Sequence, residues 1–160
     1  MKPVYMINGF LESGKTEFIT YTIAQPYFRT KGKTLIIACE DGEIEYDPIL
    51  LKKTNAVVEW IEEEEDFNTS NLLELEKKYN PERIIIEYNG MWNFKNVKLP
   101  WHWKIEQQIT CIDGSTFPMY YTNMRIFFFN NRHESFCSVI VSHFYRNHLI
   151  FRLITFRYDV

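Results

Sequence analysis

An α/β fold, with a mostly parallel sheet sandwiched between helices, is predicted by three features of this 160-residue sequence. A short apolar run at 3–7 leads directly into a glycine-bounded turn and then a helical pattern. Three further apolar runs, Thr34 to Ala38, Ala56 to Ile61 and Arg83 to Tyr88, are short and nearly continuous, as strands buried on both faces are. Helical or long connecting segments separate these runs, and parallel strands require such crossovers. Hydrophobic residues make up 46% and charged residues 24%, enough apolar material for one domain with a real core.

The elements follow in chain order. Pro-Val-Tyr-Met-Ile at 3–7 reads as the first buried strand. Glu17 to Phe28 reads as a helix with Phe18, Ile19, Tyr21, Thr22 and Ile23 on a broad face, which Pro26 should end or kink. Lys31-Gly32-Lys33 turns into the strand Thr34 to Ala38, and Cys39 to Asp47 is an acidic loop. After the strand Ala56 to Ile61 comes the charge run Glu62 to Asp66. Asn68 to Tyr79 is a helix, capped by Asn68, Thr69 or Ser70 and stopped by Asn80-Pro81. Arg83 to Tyr88 is a strand, Gly90 to Trp103 is loop-like, and Ile105 to Ile112 is a further strand. Asp113-Gly114 turns, and Thr116 to Arg125 reads as a helix despite Pro118.

Composition changes in the last part. Lysine is frequent up to Lys104 and absent afterwards, where every basic residue is Arg or His. Phe127 to Phe129 and Leu149 to Ile154 have neither helical nor strand periodicity. The chain therefore divides into a domain at 1–125 and an atypical tail at 126–160, read as a truncated or frame-shifted reading frame rather than a separate module.

The net charge of −3 supplies no basic face for nucleic acid. No apolar run approaches the length of a membrane span, and the N-terminus lacks the order of a secretory signal, so the cytoplasm is the expected compartment. Cys39, Cys111 and Cys137 lack the spacing of a zinc or redox pair and read as reduced, partly buried thiols.

Gly9-Phe10-Leu11-Glu12-Ser13-Gly14-Lys15-Thr16 matches G-x-x-x-x-G-K-[ST] without a gap, between a strand and a helix as this motif requires. Gly9 and Gly14 allow the backbone, with Ser13, to curl so that its amides face phosphate oxygens. The following helix adds its positive end. Lys15 is placed for the β- and γ-phosphates, and Thr16 offers a hydroxyl to magnesium. Glu12 brings a negative charge into the loop. It either points to solvent or touches a metal, a water or a partner subunit during hydrolysis.

A second site ends the isoleucine strand, at Glu87-Tyr88-Asn89-Gly90. In phosphate-loop proteins a carboxylate ending a neighbouring apolar strand holds the magnesium, which suits Glu87. Gly90 can then give a backbone amide to the γ-phosphate. Lys15 and Glu87 are the candidate catalytic residues.

Together these motifs resemble the CobW-like GTPases, the family near the HypB and UreG nickel-insertion proteins, over roughly residues 2–125. Residues 7–16 look like the family's G-F-L-x-x-G-K-T opening, and Glu87-x-x-Gly90 is similar to its E-x-x-G. Cys39-Glu40-Asp41-Gly42-Glu43 sits where the family has N-E-x-G-E, and Ile109 to Asp113 looks like its later strand. The resemblance implies a P-loop NTPase-type three-layer sandwich that binds magnesium and GTP, with ATP not excluded, and hydrolyses slowly. It implies a metallochaperone-like role in metal delivery or homeostasis, with a metalloprotein client or a homodimer partner. It also places Glu40 near magnesium or in a switch segment, the other reading being a solvated acidic loop.

Two features depart from the family. The stretch Val57 to Asp66 holds no cysteine where metal-handling members carry C-x-C-C, so thiolate ligation there is excluded. The guanine signature [NT]-K-x-D is absent from 114–160, and Asn130 to Glu134 is a poor substitute. An incomplete, non-catalytic nucleotide-binding module is thus the alternative to a GTPase. A small-molecule kinase is weaker, because Arg29 and Arg83 are the only arginines before residue 125. Translating the coding DNA in all frames tests the tail: a family-like continuation in another frame is expected, and one in the present frame alone would refute the frame-shift reading.

Overall fold

The computed structural model describes residues 1–40 and 45–115, together with the backbone of two strands at 137–145 and 148–156. The strands are β1 (Lys2–Asn8), β2 (Thr34–Ala38), β3 (Ala56–Trp60), β4 (Arg83–Glu87), β5 (Trp103–Asp113), β6 (Cys137–Tyr145) and β7 (His148–Phe156). The helices are α1 (Lys15–Ala24), α2 (Pro48–Lys53) and α3 (Thr69–Tyr79). The strands form one sheet in the order β3-β2-β4-β1-β5-β6-β7. Every neighbouring pair is parallel except β6 and β7, which are antiparallel. The α/β class and the mostly parallel sheet are thus as the sequence predicts.

Alternation along the strands assigns the two faces. Val4, Met6, Leu35, Ile37, Ile84 and Ile86 pack with Leu72, Leu75 and Tyr79 of α3. Ile7, Ile36 and Ile85 point the other way, against Ile19 and Ile23 of α1 and Leu50 and Leu51 of α2. Every residue of β2 and β4 is buried, which explains why these strands read as continuous apolar runs. Burying one such Ile or Leu contributes roughly 1.5–3 kcal/mol.

Helix ends follow local chemistry. α1 starts two residues earlier than the sequence suggests and stops at Ala24, with Pro26–Phe28 forming a separate 3-10 turn. Proline both lacks an amide and drives its predecessor out of helical geometry, and Gln25 is extended at φ −70° and ψ 135°. In α3 the Asn68 side chain accepts from Asn71 N at 3.1 Å, and Asn80 closes the helix in left-handed geometry. α2 has no counterpart in the sequence reading. Its signals are short-range: Asp47 accepts from Ile49 N, Pro48 opens the first turn, and Lys52 and Lys53 close the last.

The stretch from Gly90 to Trp103 crosses from β4 to β5 without an α-helix. Trp92 and Phe94 are buried, and Val97 and Leu99 pack beside them on the α3 face. Tyr88 meets Phe67, Trp92 and Phe94 edge-on, with ring centres 5.4–5.6 Å apart. β6 and β7 place strands within 137–156, although 149–154 shows no strand periodicity in the sequence. Each residue of β7 from His148 to Phe156 is paired with β6, so a non-alternating run is a strand here. The helix expected at Thr116 to Arg125 and the segment Phe127 to Phe129 lie outside the described residues.

At the strands' N-terminal edge Glu76 of α3 ties three elements together. It accepts from Trp103 Nε1 at 2.7 Å, lies 2.8 Å from His102 Nε2 and is 3.5 Å from Lys2 Nζ. Burial pushes this carboxyl up, but the hydrogen bonds from Trp103 and His102 and the charge of Lys2 outweigh it and hold it below 4.5. A depressed carboxyl adds stability that is present above its ordinary value and is lost as pH falls through the lower folded one. Glu76→Gln should therefore cost about 1–2 kcal/mol at neutral pH and lose less on acidification than wild type. Urea unfolding at neutral and acid pH measures both; equal acid sensitivity in the two proteins would rule out this role.

Candidate functional site

The parallel register brings four strand ends to one edge of the sheet. Ile7 pairs with Glu87, Ala38 with Glu87, and Asn8 with Thr110. Ligands of open parallel sheets bind at this carboxyl edge.

The loop 9–14 leaves β1 here and lies flat on its neighbours. A Cβ on Gly90 would overlap the Gly9 carbonyl group, its carbon being 2.6 Å away. A Cβ on Gly9 would lie 2.5 Å from the Cys111 carbonyl oxygen and would also overlap the Ser13 hydroxyl. Gly14 has φ 86°, a left-handed conformation that opens α1 at little cost for glycine alone. Glu12 is also left-handed, at φ 58°, which costs an L-residue roughly 1–2 kcal/mol. Its side chain is exposed to solvent.

Lys15 is only 3% exposed. Its ammonium donates to Gly9 O at 3.0 Å and Phe10 O at 2.9 Å and forms an ion pair with Glu40. Thr16 Oγ1 donates to Glu87 Oε1 at 2.7 Å. Tyr46 Oη donates to the other carboxylate oxygen of Glu87 at 2.5 Å. The fold thus brings Gly9, Ser13, Gly14, Lys15, Thr16, Glu40, Glu87 and Gly90 together, while Glu12 stands apart on the solvent side.

Tyr46 is the residue that sequence reasoning missed. It lies in the acidic stretch 39–47, where one aromatic among carboxylates is a faint signal, yet it is buried with Ile19, Ile23 and Ile85. Cys111 is the other addition, contributing through its backbone rather than its thiol. Burial pushes the Cys111 thiol up to about 12, and burial followed by the Glu87 charge pushes Cys39 up as well. Both are free and fully buried, where the sequence reading expects reduced, partly buried thiols. The side chain of Cys137 lies outside the described residues, as do Asp41 to Glu43 and Asn130 to Glu134.

Glu87 is 3% exposed. Burial pushes its carboxyl above the ordinary 4.5, and hydrogen bonds from Tyr46 and Thr16 and the charge of Lys15 only partly oppose this. Its oxygens and the Thr16 hydroxyl form a hard, all-oxygen donor set of the kind magnesium takes. The cradle at Gly9 and Gly90, which a side chain would fill, fits the close backbone approach of phosphates.

The remaining candidates fall elsewhere. Glu62, Glu63, Asp66 and Glu74 line a surface cavity of about 460 Å³ beside Trp60, while Glu64 accepts from Asn96 at 3.1 Å. Among the described residues no group of three or more His, Cys, Asp or Glu side chains could hold a metal ion. Arg83 sits at the opposite end of the sheet, over the Phe28 ring at 3.8 Å with its Nε donating to Thr34 at 2.9 Å, too far committed for a phosphate lid. No helix among the described residues is long and apolar enough to cross a membrane.

A parallel sheet with a glycine-bounded loop, lysine, threonine and strand-end glutamate at its carboxyl edge defines a phosphate-loop nucleotide-binding domain. The profile of one family, described as CobW/HypB/UreG, nucleotide-binding domain, matches residues 3–142. The chain belongs to that family, whose nucleotide-binding domain it carries. No curated protein and no solved structure gave a significant match.

The elevated Glu87 carboxyl has a measurable consequence. Its contribution to stability is fully present below the ordinary value of 4.5 and is lost as pH rises through the raised folded value. Ionising this buried carboxyl is therefore less favourable in the folded protein than in the unfolded chain. Glu87→Gln should raise the melting temperature of the nucleotide-free protein at pH 7, by a margin that shrinks towards pH 4. A lower melting temperature at pH 7 would mean that the ion's hydrogen bonds outweigh its burial.

Proposed function

We propose that this chain binds magnesium and a nucleoside triphosphate, GTP in preference to ATP, and hydrolyses it slowly. The observation that carries this reading is the hydrogen bond from Thr16 to Glu87, 71 residues apart, beside the buried Lys15. It joins the phosphate-loop hydroxyl to the strand-end carboxylate, the two groups that nucleotide-hydrolysing proteins use around their metal. When bound, magnesium supplies neutralisation of phosphate charge. Lys15 holds the β- and γ-phosphates, the loop amides and the α1 N-terminus orient them, and Glu87 and Thr16 provide oxygen donors.

Membership of the CobW/HypB/UreG family supports GTP as the nucleotide and work in cytoplasmic metal delivery or homeostasis, on a metalloprotein client or within a homodimer. The loss of lysine after residue 104 supports treating 126–160 as an atypical tail. A second reading, binding without turnover, is favoured by the absence of [NT]-K-x-D from 114–160.

Equilibrium binding of fluorescent GTP and ATP analogues, with and without magnesium, tests the site. Binding that magnesium strengthens and that favours GTP is expected, with Lys15→Ala weakening it at least a hundredfold, about 2.7 kcal/mol. Normal binding by Lys15→Ala would refute the assignment. Phosphate release under saturating GTP separates the two readings, since a slow steady rate is turnover and none is binding alone.

A further inference from the structure

We propose that Glu40 is an internal competitor for the phosphate site, which it closes to ligands with few phosphate contacts by holding Lys15. The inference rests on the nucleotide-binding reading and adds a residue that sets its selectivity. An ammonium has three hydrogens to donate, and that of Lys15 has three partners: Gly9 O, Phe10 O and the Glu40 carboxylate. A phosphate oxygen can engage Lys15 only by displacing one of them.

The three are not equally displaceable. The Gly9 carbonyl is wedged against Gly90, so it moves only if the loop leaves the strand ends. Phe10 O is fixed by the same loop and also accepts from Ser13 N at 3.1 Å. Glu40 alone reaches Lys15 through a flexible side chain. Its side chain is 11% exposed, so the pair is screened far less than a surface ion pair. The ligand must therefore replace a carboxylate with a stronger anion. A polyphosphate does this most readily, because it engages the loop amides along its length as well as Lys15; a single phosphate, though it carries roughly −1.5 to −2 at neutral pH, has fewer of those contacts to offset the lost ion pair.

Tyr46 makes the competitor removable without loss of the fold. It anchors the far end of the same stretch by its bond to Glu87 and by burial against α1. Glu40→Gln keeps the size and the acceptor oxygen and deletes only the charge.

The test is binding of a fluorescent GTP analogue, with inorganic pyrophosphate and phosphate as displacers, to wild type, Glu40→Gln, Lys15→Ala and the double variant. All are measured in EDTA, so that no metal contributes. Glu40→Gln should bind on the order of tenfold tighter than wild type, with the largest relative gain for inorganic phosphate. The gain should vanish in the Lys15→Ala background, because the competition acts through that ammonium. Nucleotide binding by wild type that Glu40→Gln leaves unchanged or weakens overturns the competition alone, as does a gain that survives Lys15→Ala. Absence of nucleotide binding by every variant, with magnesium restored as well, overturns the nucleotide reading together with it.

Discussion

Backbone lies directly on backbone where the phosphate loop passes between the ends of β4 and β5. Gly9 touches Gly90 on one side and the Cys111 carbonyl on the other, at separations that leave no room for a Cβ. Everything else in the site inherits its position from that contact. It sets the height of the loop over the sheet edge, and hence where Gly14 launches α1 and where Lys15 and Thr16 begin. It also explains why both glycines are required although only Gly9 has positive φ. Gly90 is needed for proximity, not for backbone freedom.

On this frame rests an electrostatic arrangement that is costly by itself. A carboxylate and an ammonium are both nearly withdrawn from water. Glu87 is balanced by hydrogen bonds from Thr16 and Tyr46, while Lys15 is balanced by two carbonyls and Glu40. Such groups are tolerated because the Lys15 ammonium has three partners and each Glu87 oxygen accepts a hydrogen bond, and they keep polar atoms aimed at one point. The partners are drawn from β1's loop, from β4 and from the stretch after β2, so the site records the packing of three elements at once.

The sheet order accounts for the two-sided core. The chain moves from β1 through β2 to β3 along one direction of the sheet, with α1 and α2 on one face. It then returns from β3 to β4 and onward to β5, with α3 and the aromatic stretch at 92–99 on the other. Right-handed crossovers change faces when the direction of travel reverses. The loop at the end of β1 sits between these two directions, which leaves an open crevice beyond the strand ends.

Much of this was written locally. The phosphate loop, the strands at 34–38 and 83–87, and the capped helix at 69–79 depend on neighbouring residues alone: a motif, unbroken apolar runs, and Asn68 and Asn80 at the two ends. Helix α2 was equally local but short, six residues whose caps are their main signal. The strand β7 was hidden because an apolar run paired on a sheet carries no periodicity of its own. Residue types therefore determined the class of fold and the identities of Lys15, Thr16, Glu87 and Gly90. Tertiary structure alone decided that Tyr46 caps the Glu87 carboxylate, that Glu40 holds Lys15, and that Cys111 contributes a carbonyl rather than a thiol. These contacts join residues from 25 to 102 positions apart. No local spacing encodes them, because they come into being only when the parallel register sets four strand ends side by side.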